Sequence, residues 1–367
     1  MAVEYEIRIR DPEGNLKKVI PGRGFMRLEY VNEVNGAGVS LFDIPSNHSA
    51  IQYLEYDGII EVRRRNLAYS IEWYTDWEGL YVDRDKWLDA NRLPMFRAIC
   101  VGKLDLLGGE TVAWPANKAN RSYFEAQPAE TIAKTLVTYN AVAASATEAN
   151  GRDYDTDVTG VTVSPDGGFG NTLTEEYGGQ NLLVALQNIA RIGDGDFDLI
   201  RTSGTNYQFR WYVGQRGTDR SNTVIFALQY KNMESPRLTG GRMLERTRVV
   251  ALGQGAEGAR QRVVRTGVNY DSGGRNRTVY LDTSSTDIAA LQAAGDLRLD
   301  ELEARDDLTF TVRQTAARQY GRDYFVGDLV GSFWEGVSAI KQIMSAAVVV
   351  EPNANQIETI RVETENA

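Results

Sequence analysis

Four apolar residues stand at alternate positions near the start of this chain, Val3, Tyr5, Ile7 and Ile9, with Glu4, Glu6, Arg8 and Arg10 between them. Successive side chains of an extended strand point to opposite faces, so this spacing predicts a strand with one dry and one wet face. The period of two recurs along the chain, punctuated by turn chemistry such as Asp11-Pro12-Glu13-Gly14-Asn15. A chain written this way is confined to short, mostly antiparallel strands. Its 35 glycines, 9 prolines and 10% aromatic residues fit that reading.

Asn35-Gly36 and Asp57-Gly58 are dipeptides that favour tight hairpins, because both central residues take positive φ. The second predicts a hairpin of residues 51–56 with 59–65. Further strands are expected at 68–73, 79–82 and 96–104, which makes residues 1–118 a first small antiparallel β-barrel or sandwich. From 119 to 221 the texture is α+β. Pro128 opens a helix in which Ile132, Ala133, Leu136, Val137 and Asn140 share a face, and a second follows Gly178-Gly179 with Leu182, Leu183, Leu186, Ile189 and Ala190 on one stripe. Strands are expected at 196–201 and 207–213.

Strand patterning resumes at Thr223, with further runs at 308–312, 328–334, 338–350 and 356–363. Residues 222–252 and 307–367 read as a discontinuous second β-barrel. Residues 253–306 read as an insertion ending in an amphipathic helix over 287–304, with Ile288, Leu291, Leu299 and Leu302 turned inward. The fold class expected is mixed and β-rich, with two small antiparallel barrels, an α+β domain and a helix-containing insertion. A length of 367 residues and an apolar fraction of 42% suit two or three such cores.

The formal charge is −10. Gripping DNA requires neutralised phosphates, so this balance argues against specific nucleic-acid binding, though not against DNA sliding past. The single cysteine, Cys100, excludes an intramolecular disulfide and a cysteine zinc site, which suits a reducing cytoplasm. The first ten residues hold no secretory apolar core, and no run approaches the ~20 apolar residues of a membrane span. The Asn-x-Ser/Thr matches at Asn47, Asn120 and Asn276 are read as chance, since glycosylation requires secretion.

No intact catalytic, cofactor or metal motif is present, and no residue is assigned to one. Residues 253–258 match GxGxxG after the apolar run 249–252, but the charged, β-branched stretch 259–265 that follows predicts a returning strand rather than a phosphate-cradling helix. Asp194, Asp196 and Asp198, and likewise Asp153, Asp155 and Asp157, are spaced as DxDxD. Both fail the EF-hand pattern, with Leu199 and Val158 at the glycine position and Thr205 and Ser164 at the glutamate position, so they read as solvated turn carboxylates. The lone His48 has no GxSxG serine to serve and reads as a loop or surface residue. Glu175-Glu176 supplies paired acids, and Trp73, Tyr74, Trp77, Tyr81 and Trp87 supply aromatics for a sugar platform. The aromatics' irregular spacing favours core packing.

Three segments together resemble the phage tail-hub superfamily, the tail-associated (Tal-like) or baseplate hub proteins at the siphophage tail tip, related in fold to the myophage baseplate hub. The first is Leu41-Phe42-Asp43-Ile44-Pro45 through Tyr53-Leu54-Glu55-Tyr56-Asp57-Gly58-Ile59-Ile60-Glu61-Val62-Arg63, similar to a strand pair leading into an arginine-bearing hairpin. The second is Ala129-Glu130-Thr131-Ile132-Ala133-Lys134-Thr135-Leu136-Val137 with Asn140, then Gln180-Asn181-Leu182-Leu183-Val184-Ala185-Leu186 and Phe197-Asp198. The third is Tyr320-Gly321-Arg322-Asp323-Tyr324-Phe325-Val326-Gly327-Asp328-Leu329-Val330, similar to the family's yGrDYxlGD signature, in which Asp328 is expected to bond backbone amides.

The resemblance implies a non-enzymatic structural protein with no cofactor. It implies a homotrimer whose two barrels per subunit form a six-barrel ring matching a sixfold tail tube. Its partners would be copies of itself, the distal tail or tail-tube protein, other tail-tip or fibre proteins and the tape-measure protein, with DNA passing through the lumen. Its place would be the virion tail tip, after synthesis in the host cytoplasm. A β-rich carbohydrate-binding module or glycosidase of a phage tail is the alternative, and a nucleotide-dependent enzyme rests only on residues 253–258.

Overall fold

The computed structural model describes residues 3–113, 122–152, 154–272, 274–283, 288–351 and 357–366. Asn120, Asp153 and the expected helix start at Asp287 lie outside them. The opening alternation forms the strand Glu4–Arg10, with Tyr5, Ile7 and Ile9 at most 2% exposed. It is one of eleven strands in a single large sheet.

That sheet joins the two β-rich regions edge to edge. The strand Arg27–Glu33 pairs with Val39–Pro45 on one side and with the second half of Val337–Glu351 on the other. The first half of Val337–Glu351 pairs with Leu329–Trp334, and its free side takes Ile357–Asn366. Among the described residues no sheet closes on itself. The two separate barrels expected from the sequence are therefore replaced, in hydrogen-bonded pairing, by one open sheet. Its interior is one core running from Ile7, Tyr30 and Phe42 to Phe226, Tyr324 and Val348. A strand with core-filling side chains that also meets a partner on each edge has no reason to stop at a barrel seam.

Two strand expectations fail locally. Residues 51–56 do not form a hairpin with the following strand: Ile51–Tyr53 is a 3-10 turn, and Ile59–Asn66 pairs with Glu4–Arg10 and Ile71–Leu88 instead. Asp57 does take positive φ (64°), but its N–H donates to Tyr81 O. The two short strands expected at 68–73 and 79–82 are parts of one 18-residue strand, Ile71–Leu88, whose irregular registers break the alternation that sequence reading relies on.

The α+β unit follows its pattern closely. The helices Ala129–Ala141 and Leu182–Gly193 bury Ile132, Leu136, Leu186 and Ile189 completely against the strands Gly195–Ser203 and Asn206–Val213. Fully buried aliphatic side chains of this kind each contribute about 1.5–3 kcal/mol. Asn181 caps the second helix by accepting from Val184 N.

The insertion departs from expectation at its start. Arg248–Leu252, read as part of the second β-rich region, pairs with Arg262–Thr266 and Thr278–Asp282 in a separate three-stranded sheet. The helix Ile288–Glu301 covers that sheet with Leu291 and Leu299, whereas Ile288, expected inward, is 55% exposed. The paired strands Met233–Gly241 and Arg305–Val312 carry this unit as a stalk. No helix among the described residues is long and apolar enough to cross a membrane.

Candidate functional site

Where the large sheet, the α+β unit and the Tyr320–Val330 segment meet, the chain buries a cluster of charged and hydroxyl groups. Parity starts the argument. On Ile59–Asn66 the core-facing positions are Ile60, Val62 and Arg64, so the middle of three consecutive arginines points inward and is 0% exposed. On Ile357–Asn366 the same parity puts Glu358 beside Ile360 and Val362. The two meet as a bidentate pair, with Arg64 Nε donating to Glu358 Oε2 at 2.7 Å and Nη2 to Oε1 at 2.8 Å. Burial opposes the guanidinium's charge, but the Glu358 hydrogen bond and nearby charges outweigh it and raise its pKa. Tyr5 Oη also donates to Glu358, and Arg64 Nη1 donates to Tyr320 O at 3.0 Å.

Behind this pair lies Asp76, which accepts from Tyr30 Oη at 2.5 Å and Tyr320 Oη at 3.0 Å. Its carboxyl is raised above the ordinary value because burial outweighs those phenol donors and the Arg64 charge. A lined cleft of about 510 Å³ opens next to it, bounded by Trp77, Glu78, Lys103, Asp198, Arg201 and Phe325. Arg201 Nε sits 2.8 Å from Glu78 Oε2 and Arg201 also pairs with Glu61, which Arg10 Nε holds at 2.8 Å. Burial pushes the Glu61 carboxyl up, but hydrogen bonds from Arg10 and Arg201 hold it below its usual range.

The Tyr320–Val330 segment explains itself here. Gly321 has φ +82°, and a Cβ on it would lie 2.2 Å from Tyr74 Oη and 2.9 Å from Arg64 Nη1. Only glycine lets the backbone carbonyl of Tyr320 reach the buried arginine. Asp328 behaves as expected of an amide-bonding turn residue: it accepts from Phe325 N (3.0 Å) and Thr218 N (2.7 Å), and it also takes Arg220 Nε at 2.8 Å. Tyr324 is fully buried, its Oη accepting from Gln314 Nε2.

The DxDxD carboxylates at 194–198 are a correction. Only Asp194 is an exposed turn residue, at the left-handed end of its helix; Asp196 and Asp198 are 4% and 6% exposed on a strand. Asp196 accepts from Asn35 Nδ2, Arg216 N and Gln342 Nε2 at 2.7–2.8 Å, so it ties all three regions together. Asn35 Oδ1 in turn accepts from Phe197 N at 2.7 Å. Of the second cluster, Asp155 accepts from Glu148 N at 2.8 Å. Among the described residues no three metal-ligating side chains are grouped.

The remaining singled-out residues scatter. Trp77 and Tyr81 are buried, while Trp73 lies under Arg65 (4.8 Å) and Trp87 under Arg97 (5.1 Å), so these aromatics form no shared platform. Glu175 and Glu176 stand exposed on the strand Thr172–Glu176. His48 is a half-buried loop residue whose Nδ1 accepts from Ala50 N. Cys100 is fully buried, and burial pushes its thiol pKa up. Residues 253–258 turn between two paired strands, with Gly253 N donating to Gln261 O, and only a single 3-10 turn, Glu257–Ala259, precedes the returning strand. Each carboxylate of the junction is already held by the chain's own donors. That chemistry ties distant parts of the chain together.

Known structures share this fold at low identity. The 43 kDa tail protein of prophage MuSo2 from Shewanella oneidensis is 14% identical, with 98% of each chain covered and a TM-score of 0.57. Prophage tail protein gp18 from Listeria monocytogenes is 11% identical, covering 98% of this chain and 94% of its own, with a TM-score of 0.58. A tail protein from Neisseria meningitidis is 13% identical, covering 99% and 96%, with a TM-score of 0.56. No curated protein sequence matches this chain. The family model of the Siphovirus ReqiPepy6 Gp37-like protein matches residues 6–360, nearly the whole length, and the chain accordingly belongs to that siphovirus family, on a fold shared with prophage tail proteins.

Proposed function

We propose that this chain is a structural hub of a phage or phage-derived tail tip, a subunit of a trimeric ring that adapts the sixfold tail tube to the tip proteins and surrounds the DNA exit channel. The observation that carries the reading is the edge-to-edge pairing of Val337–Glu351 with Arg27–Glu33. It sets two β-rich halves edge to edge in each subunit, as two barrel-like units of a ring segment require. The buried Arg64–Glu358 and Asp196 contacts keep those halves and the α+β unit in a fixed relation, which suits a load-bearing part with no chemistry of its own. Its neighbours are the distal tail or tail-tube protein, tip or fibre proteins and the tape-measure protein. The lumen carries much of the −10 charge, since walls that bound phosphate would stall DNA.

Cryo-electron microscopy of the purified chain, and of intact tails bearing it, tests this. A closed threefold ring with an acidic bore is expected. A monomer, a pore lined mainly by Arg and Lys, or a glycan bound in a groove with two essential acids would overturn it.

A further inference from the structure

The stalked unit formed by residues 242–304 has one covered face and one open one. On the covered side Val249 and Ala251 are fully buried beneath Leu291 and Leu299, and Gly295 lets the helix come close, since a Cβ there would meet Arg265 Cγ at 2.7 Å. On the open side Val250 faces Val264 on one neighbour strand and Tyr280 on the other, in register. Val264 is 52% exposed and Tyr280 70% exposed, so a contiguous apolar row lies in water.

Its surroundings are basic. Residues 242–282, which carry the open face, hold eight arginines against four acids, whereas residues 288–304, which hold the helix across the sheet, add four acids and one arginine. Arg248 and Arg262 stand on the open face on either side of the row, and neither makes an ion pair among the described residues; Arg248 Nε donates to Thr278 Oγ1 and its Nη1 to Tyr270 Oη. Elsewhere the sign reverses. Residues 122–176 carry nine acids against two bases, and both bases are used internally, Lys134 by Glu130 and Arg152 by Glu110. In that segment Tyr123 and Glu176 are register partners on a two-stranded ribbon, both exposed, with Glu125 exposed nearby.

We propose that the open face centred on Val250, Val264 and Tyr280 docks on a second copy of this chain, against the acidic ribbon around Tyr123 and Glu176. The proposal deepens, and rests on, the multi-subunit reading given above. Two basic faces repel, so the contact is head-to-tail rather than face-to-same-face, and a head-to-tail contact closes into a ring when its rotation permits. The aliphatic centre favours a protein surface over nucleic acid, which is gripped by stacked aromatics and arrays of cations.

Sedimentation velocity of the full chain at physiological salt tests it. Arg248→Glu with Arg262→Glu weakens self-association by at least ~10-fold, Glu125→Arg with Glu176→Arg does the same, and all four changes in one chain restore it. All four positions are surface-facing, so circular dichroism and unfolding stay near wild type. Wild type that associates but ignores the arginine reversals overturns the docking and leaves the ring standing; wild type that stays monomeric sinks both. Reversals that weaken association without rescue by the fourfold variant overturn the acidic ribbon as the docking surface. Binding of a labelled duplex oligonucleotide that the arginine reversals abolish overturns the choice of a second copy.

Discussion

The large sheet and the stalked unit handle charge in opposite ways. In the sheet, Arg64 and Glu358 are withdrawn from water and spent on each other, with Tyr5 and the Tyr320 carbonyl completing their hydrogen bonds. In the stalked unit, arginines stay at the surface beside exposed Val264 and Tyr280, over a core of a few residues such as Val249, Ala251 and Leu291. Buried ion pairs recover their desolvation cost only with good geometry and full hydrogen bonding, so they specify an arrangement more than they add stability. Open apolar rows under cations do nothing for the isolated fold and become useful on contact. One region is finished when it folds; the other is finished when it binds.

The largest expected effect breaks the finished region. Glu358→Ala strands Arg64 in the core and lowers stability by ~3–5 kcal/mol in urea unfolding; a loss below ~1 kcal/mol would show that water already reaches the guanidinium. Next comes Gly321→Ala, which places a methyl against Tyr74 and Arg64 at positive φ and costs about 2 kcal/mol. A neutral result would mean that the segment can withdraw from the junction.

Asp76 sharpens the comparison through pH. Its folded pKa lies above the unfolded one, so the folded chain binds the proton more tightly. Its share of stability is present below the unfolded pKa and declines as pH rises through the folded value. Wild type should therefore gain on Asp76→Asn as pH falls toward the ordinary carboxylate value of 3.8, measured by urea unfolding at each pH; a widening in the other direction would contradict the burial argument. The smallest effect belongs to the stalked unit. Val264→Thr and Tyr280→Ser each change monomer stability by less than ~0.5 kcal/mol, and a larger loss would mean that the open face is covered within the chain.

Much of this architecture is legible from spacing. The alternation of Val3 to Ile9, the helical stripes of Ile132–Leu136 and Leu182–Ile189, and the returning strand after residues 253–258 all follow local periodicity. So does the inward direction of Arg64 and Glu358, since each shares parity with buried aliphatic neighbours. Their partnership does not, because 294 residues separate them and only the pairing of Val337–Glu351 with Arg27–Glu33 brings them together. Asp76 is unreadable for another reason: the irregular registers within Ile71–Leu88 destroy the parity that would have placed it. Asp196 and Asp198 resemble turn residues by spacing alone, and their burial depends on Asn35, Lys103, Arg216 and Gln342, which come from distant parts of the chain.

The shared strand also sets a schedule. As the chain leaves the ribosome, Arg27–Glu33 can take Val39–Pro45 at once, but its other edge waits for Val337–Glu351. Until then an unpaired edge is exposed, and Arg64 has no counter-ion within the residues already made. Contacts of such sequence separation form slowly, and partly built sheets of this kind are prone to join the wrong neighbour. The three strands and helix of the stalked unit, by contrast, are contiguous in the chain and can fold while the large sheet is still incomplete. The surface that the proposed assembly uses would thus be ready before the body that carries it.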